Sequence, residues 1–161
     1  MGLLDSNTEL TVVQAAIWTV VMSKRFPSRL LQPLPHVEVG RALGVQLAPG
    51  GCHVRSHAHE HIAKDHSDVY DLVWQHLDSV VLTPTYAGQS PHHRNNFEVV
   101  KRIRIFDPSN PGTLIGEYYV LVPISIKINR YGNYRILSGY TISEEDVMNR
   151  RAKNHLVLVR K

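Results

Sequence analysis

The feature of this sequence that most constrains its fold is a run of alternating side chains in the second half of the chain. Residues 97–105 alternate between apolar and charged, and residues 117–128 follow the same period of two. That period places successive side chains on opposite faces of an extended strand. Turn-forming residues at 107–112 and 131–133 separate these segments from each other and from a third, residues 134–140. Three consecutive strands with tight connections predict an antiparallel meander.

Helical patterns flank this predicted sheet. In residues 68–81 the apolar side chains recur at spacings of three and four, which is typical of one face of an α-helix. Ser67 is placed to cap its start, and Pro84 prevents its continuation. Its outer face is polar, so we expect it to cover the sheet from one side. A short helix over residues 143–153 and a last strand at 156–160 complete the predicted domain.

The first 55 residues differ in character from the rest. Residues 8–24 are mostly apolar with good helix formers, and Pro27 ends the pattern, which predicts a helix. Prolines and glycines interrupt residues 26–52, which is typical of a linker or wrapping arm. We therefore predict an N-terminal helix and arm over residues 1–55 and one compact α+β domain over residues 56–161.

Charge is distributed unevenly between the two halves of the chain. Residues 92–161 carry twelve Lys/Arg and six Asp/Glu, whereas residues 1–91 carry six and eight. A basic surface concentrates polyanions by electrostatic steering, and nucleic acid is the commonest such partner. The alternative is a solvated basic face without a ligand.

Cysteine usage and hydropathy bear on the compartment. Cys52 is the only cysteine, so neither an intramolecular disulfide nor a multi-cysteine zinc site can form within one chain. The most apolar stretch, residues 10–22, is interrupted by polar side chains and is shorter than the ~20 residues that span a bilayer. We expect a cytoplasmic protein without a membrane partner, and delivery into a target cell stays open.

Histidines are concentrated in residues 57–66, immediately before the amphipathic helix. In one interpretation, His57, His61 and either Glu60 or His66 bind zinc or another divalent ion. In a second, a histidine exchanges a proton with an RNA 2′-hydroxyl or leaving oxygen while a nearby cation offsets the phosphate charge. In a third, the histidines are only a polar, exposed helix start.

The segment His61-Ile62-x-Lys64-x-His66 is followed by a helix, a proline and a basic meander that ends in Ser138-Gly139-Tyr140-Thr141. In these features residues 57–161 resemble the phage-associated and polymorphic-toxin branch of the barnase–EndoU–colicin–RelE ribonuclease superfamily. The resemblance implies an α+β fold in which N-terminal helices precede a four-stranded antiparallel sheet packed against the histidine-bearing helix. It also implies a metal-independent endoribonuclease that needs no cofactor and cleaves RNA by general acid–base transesterification.

The resemblance further implies a set of site residues. The implied catalytic residues are His61, Lys64, His66, Arg102, Ser138 and Tyr140, and the implied RNA-binding residues are Lys101, Arg104 and Arg135. The first histidine would be the general base or acid, and Lys64 and His66 would contact the scissile phosphate. The strand arginines would stabilise its developing charge, and the serine and tyrosine would orient it.

Each assignment has a plain structural alternative. Lys64 can pair with Glu60 one helical turn away, and His66 can cap the helix. Arg102 and Arg104 can be solvent-facing strand residues. The residues 85–96 form a long, histidine-bearing insertion relative to the family pattern.

Two other functions remain open on sequence grounds. One is a non-catalytic nucleic-acid-binding protein, and the other is a metal-dependent hydrolase that uses the histidine cluster. For the ribonuclease, the expected partners are RNA, with tRNA as one candidate, and an immunity or antitoxin protein.

Overall fold

The computed structural model describes residues 25–161, which form one eight-stranded sheet and four helices. The elements in chain order are β1 (Arg29–Leu31), α1 (His36–Leu43), β2 (Gly51–Val54), α2 (Ser56–Asp65), α3 (Tyr70–Leu82), β3 (Tyr86–Gln89), β4 (Asn96–Asp107), β5 (Asn110–Ile128), β6 (Asn133–Ile136), β7 (Tyr140–Ile142), α4 (Glu144–Ala152) and β8 (Val157–Leu158). The predicted helix at residues 8–24 lies outside the described residues. No helix within the described part of the chain is long and apolar enough to cross a membrane.

The sheet is mostly antiparallel, which confirms the predicted α+β class. Its strand order is β1-β2-β6-β5-β4-β3-β8, and β7 also pairs with β5. The predicted meander is present because β4 pairs with β5, and β6 and β7 share the opposite edge of β5. The sheet therefore has eight strands rather than the four that the resemblance implies. One of the added strands, β3, lies inside the 85–96 segment, which the sequence analysis treats as an insertion.

The predicted third strand is interrupted at residues 137–139, between β6 and β7. Gly139 lies in this break. A Cβ atom built on this glycine would lie 2.7 Å from Val73 Cγ1 and 3.6 Å from Ile62 Cδ1. The backbone between β6 and β7 therefore passes directly against α2 and α3, where only a glycine fits without displacing a neighbour.

Residues 29–54 of the predicted arm contribute two strands to the sheet of the predicted domain. β1 and β2 join the sheet through a parallel pairing of β2 with β6. Leu31 and Val54 are buried in the same core as Ile62. The prolines and glycines of this stretch flank short strands whose partner lies about 80 positions later in the chain, a contact that local patterns do not reveal.

Helices pack on both faces of the sheet. The apolar stripe of α3, including Val73 and Leu77, packs against one face, as predicted. The other face carries Glu98, Val100 and Arg102 of β4, and α4 packs onto it through Val147. We call this second surface the α4 face. Glu98 is buried on this face because α4 covers that end of the strand.

Of two predicted N-terminal helix caps, one is present in the structure and the other is absent. Ser143 caps α4, since its Oγ accepts a hydrogen bond from the backbone N–H of Asp146 at 3.1 Å. In contrast, α3 begins at Tyr70, and no side chain caps it. Ser67 therefore does not have the capping role predicted for it.

Candidate functional site

The histidine segment forms α2, and Asp65 orients its predicted general base or acid. The Nδ1 atom of His61 lies 2.6 Å from Oδ2 of Asp65, one helical turn away. A carboxylate that accepts the Nδ1 proton fixes the tautomer and leaves Nε2 as the nitrogen available for proton exchange. The spacing of four residues is visible in the sequence, but the sequence analysis did not single out Asp65.

Two further predicted site residues meet His61 at the edge of the sheet. The ring centroids of His61 and His66 are 5.5 Å apart and nearly perpendicular. The His66 ring in turn stacks on Tyr140 with a centroid distance of 5.1 Å. We call these three side chains the His–Tyr cluster. His66 also caps the C-terminal end of α2, as predicted in its structural alternative. Its backbone N–H donates to the Ile62 carbonyl.

The phenol of Tyr140 is held in its protonated form. Its pKa lies above the ordinary value, first because the side chain is buried and second because Glu98 carries a nearby negative charge. Arg150 opposes this shift in part. The phenol therefore remains a hydrogen-bond donor across the physiological pH range.

Lys64 forms the ion pair with Glu60 that was expected if its role is structural. Its Nζ donates to Oε1 of Glu60 at 2.5 Å, and the lysine side chain is 56% exposed. Exposed pairs of this kind contribute only about 0.3–0.5 kcal/mol. A phosphate bound beside α2 could therefore attract the ammonium group at little cost.

Arg102 and Arg104 lie on the α4 face and share one carboxylate. Arg102 Nε donates to Glu117 Oε1 at 2.7 Å, and Arg104 Nε lies 3.6 Å from the other oxygen. The hydrogen bond from Arg102 lowers the pKa of Glu117, so the carboxylate stays ionised. Within residues 25–161, no hydrogen bond or ion pair joins either arginine to the His–Tyr cluster.

The remaining predicted residues occupy three different environments. Lys101 donates to the carbonyl and hydroxyl oxygens of Thr83 at the end of α3, and burial lowers its pKa. Arg135 is exposed on β6. Ser138 is only 7% exposed in the break between β6 and β7, and its Oγ has no hydrogen-bond partner among the described residues. This position does not present Ser138 to a phosphate in solvent.

A buried ion pair lies close to the His–Tyr cluster. Oε2 of Glu98 accepts a hydrogen bond from Nη1 of Arg150 at 2.6 Å. Burial raises the pKa of Glu98, while Arg150, His92 and His93 lower it. This pair cannot be predicted from local sequence patterns because the two residues are 52 positions apart. A carboxylate on an otherwise basic strand face was the only available signal.

One histidine of α2 is a core residue. The Nδ1 of His59 lies 3.0 Å from the Pro27 carbonyl oxygen, and its Nε2 lies 2.6 Å from the Tyr70 hydroxyl. Its ring stacks on Trp74 at a centroid distance of 3.6 Å. Burial lowers the pKa of His59, so the neutral imidazole is the form that fits this site. His59 therefore holds α2 against α3.

Within residues 25–161, no three His, Cys, Asp or Glu side chains are grouped so that they could hold a metal ion. The zinc interpretation of the histidine segment thus has no assembled ligand set in this part of the chain. Comparison with known proteins finds no matching family model, curated protein or solved structure.

Proposed function

We propose that this chain is a metal-independent endoribonuclease of toxin or phage type, which cleaves RNA by general acid–base transesterification at the His–Tyr cluster. The observation that carries the proposal is the approach of two imidazoles to 5.5 Å, one of them oriented by Asp65 and the other stacked on Tyr140. Imidazole is the side chain whose ordinary pKa suits proton transfer near neutral pH.

The chemistry requires one proton acceptor and one proton donor. In the proposed mechanism, His61 Nε2 takes the proton of the RNA 2′-hydroxyl, and the 2′-oxygen attacks the adjacent phosphorus. The bond from phosphorus to the 5′-oxygen breaks, and protonated His66 gives its proton to that leaving oxygen. The products are a 2′,3′-cyclic phosphate and a 5′-hydroxyl. General acid–base groups of this kind contribute about 10²–10⁴-fold each.

Two other side chains complete the proposed site. The protonated phenol of Tyr140 donates a hydrogen bond to a non-bridging phosphate oxygen. Lys64 leaves its weak pair with Glu60 and offsets the charge that develops on the phosphate. Arg102 and Arg104 pair with Glu117 and, among the described residues, have no hydrogen bond or ion pair with the His–Tyr cluster. We therefore assign them, together with Arg135 of β6, to binding the flanking RNA backbone.

In this proposal, the meander β4–β5–β6–β7 with α2 and α3 is the barnase- or RelE-like part of the fold. The strands β1, β2, β3 and β8 extend it on both sides. The expected partners are RNA and, for a toxin, an immunity or antitoxin protein.

The test is incubation of the purified chain with total RNA, with and without EDTA. We expect cleavage to persist in EDTA and to fall by about 100-fold or more in His61→Ala, since a general base is removed. His57→Ala is the matched control, because this exposed histidine lies on the same helix outside the cluster. RNA binding without cleavage would instead support the nucleic-acid-binding alternative, and cleavage lost with EDTA would support the metal-dependent one.

A further inference from the structure

A second site candidate lies far from the His–Tyr cluster, where α1 meets the C-terminal residues. A pocket of about 370 Å³ opens there, lined by residues of α1, of the end of α4 and of β8 with the residues around it. The strand order places β8 four strand positions from β7. At about 4.8 Å per position, the two sites are roughly 19 Å apart across the sheet.

Three arginines from different parts of the fold line this pocket. Arg41 lies in the last turn of α1, Arg151 lies in the last turn of α4, and Arg160 follows β8. None of the three forms an ion pair with a carboxylate within residues 25–161. Like charges repel at close range, so this arrangement favours a bound anion.

The charge balance of the lining indicates which anion fits. Glu38 is the one carboxylate among the lining residues, so the three arginines leave a net charge of about +2. A phosphate monoester carries about −1.5 to −2 at neutral pH and offers three acceptor oxygens. Guanidinium groups bind such oxygens in pairs. A phosphodiester, with a single negative charge, would leave part of the positive charge uncompensated.

Contacts within the fold fix the positions of two of the lining residues. The Arg151 guanidinium lies 4.9 Å from the Tyr86 ring centroid, and its Nη1 donates to the Tyr86 hydroxyl at 3.4 Å. Asn154 has a positive φ of 57°, and its N–H donates to the Arg151 carbonyl at 3.0 Å. This conformation ends α4 in a Schellman motif, in which the N–H of His155 also donates to the Arg150 carbonyl at 2.8 Å.

Part of the pocket lining is apolar. Val157 and Leu158 are 38% and 39% exposed, and as consecutive residues of β8 they lie on opposite faces of the strand. One of these side chains can contact a nucleobase, and the Glu38 carboxylate can accept hydrogen bonds from ribose hydroxyls. The pocket volume also lies within the range of about 300–1,000 Å³ that is usual for small-molecule sites.

We propose that this pocket binds a nucleotide through a terminal phosphate monoester, with the base against one exposed apolar side chain of β8. The phosphate can belong to a free mononucleotide or to the end of a nucleic-acid strand. The proposal is independent of the ribonuclease activity proposed above, because it uses none of the residues of the His–Tyr cluster.

The test is isothermal titration calorimetry of the full chain with the four ribonucleoside 5′-monophosphates, the matching nucleosides and inorganic phosphate. We expect at least one monophosphate to bind more tightly than its nucleoside and than inorganic phosphate. Arg41→Gln and Arg160→Gln should each weaken that binding by about tenfold or more, the usual effect of losing a charge-assisted hydrogen bond. Glu38→Gln should strengthen the binding of inorganic phosphate, since a repelling charge is removed.

Arg130→Gln is the matched control, because this exposed arginine lies in the β5–β6 turn away from the pocket. A DNA oligonucleotide with and without a 5′-phosphate distinguishes a strand end from a free nucleotide and cannot undergo 2′-hydroxyl chemistry. Thermal unfolding of each variant checks that the fold is retained. Equal binding by the pocket variants and the control, or no binding of any monophosphate at millimolar concentration, would overturn the proposal.

Discussion

Replacing Arg150 by methionine removes the partner of a buried carboxylate and should destabilise the fold strongly. The Glu98 side chain is 6% exposed and that of Arg150 is 25% exposed, with 2.6 Å between Nη1 and Oε2. Breaking a buried ion pair by removing one partner costs about 3–5 kcal/mol. Because Arg150 is partly solvated, we expect the lower end, about 3 kcal/mol. For a chain of this size that corresponds to roughly 6–12 °C in melting temperature.

The loss of stability in Arg150→Met should increase with pH. Burial already raises the pKa of Glu98 in the native protein, and loss of Arg150 removes the largest opposing effect. A carboxyl group whose pKa is higher in the folded than in the unfolded state costs stability as the pH rises through that interval. Arg150→Met should therefore be more destabilising at about pH 8 than at about pH 5, where Glu98 is closer to neutral.

Urea unfolding at the two pH values measures both effects. The double variant Glu98→Gln with Arg150→Met should recover much of the stability, because no buried charge remains. Lys153→Met is the matched control, since this exposed residue lies at the end of the same helix. Equal losses at both pH values, or no recovery in the double variant, would refute the account of Glu98 as a buried, ionised partner.

Two further predictions concern the packing around α2. Gly139→Ala should cost about 1–3 kcal/mol in urea unfolding, because its Cβ would lie 2.7 Å from Val73 Cγ1. Gly112→Ala, with no atom within 4 Å of its Cβ, should change stability little, and equal effects of the two variants would contradict this packing. His59 has a lowered pKa, so stability should decline as the pH falls below its ordinary value of 6.5. Thermal unfolding at several pH values measures this decline. An equal decline in His59→Phe would show that His59 is not its cause.

Local patterns were sufficient to predict the central part of the fold. The period of two in β4 and β5 and the helical spacing in α3 are carried by consecutive residues, so the meander and its covering helix follow from the sequence. The Ser143 cap of α4 is also local, since its acceptor and donor are three residues apart.

Other features of the fold depend on contacts between residues that are distant in the chain, so local sequence patterns do not predict them. The strands β1 and β2 belong to the sheet only through β6, and their short length leaves no periodic signal. Burial of Glu98 depends on α4, whose position over that strand is a tertiary property.

In the candidate site too, the residue types could be predicted from the sequence, whereas their tertiary contacts could not. The sequence analysis named His61, His66 and Tyr140, and the structure brings them together because Gly139 lets the strand pass against α2 and α3. The sequence did not show that Glu117 pairs with both strand arginines, nor that Ser138 is buried. These facts depend on strand register and on the break between β6 and β7.

The central claim is cleavage by 2′-hydroxyl attack, and one pair of substrates tests it directly. After the cleavage site in a short RNA is mapped, the same oligonucleotide is made with a single 2′-deoxy sugar on the 5′ side of the scissile phosphate. Both are incubated with the purified chain in EDTA, and the products are identified by mass spectrometry. The account predicts a 2′,3′-cyclic phosphate from the all-RNA substrate and no cleavage at the 2′-deoxy position. Cleavage of the 2′-deoxy substrate at the same position, or products with 5′-phosphate ends, would contradict it.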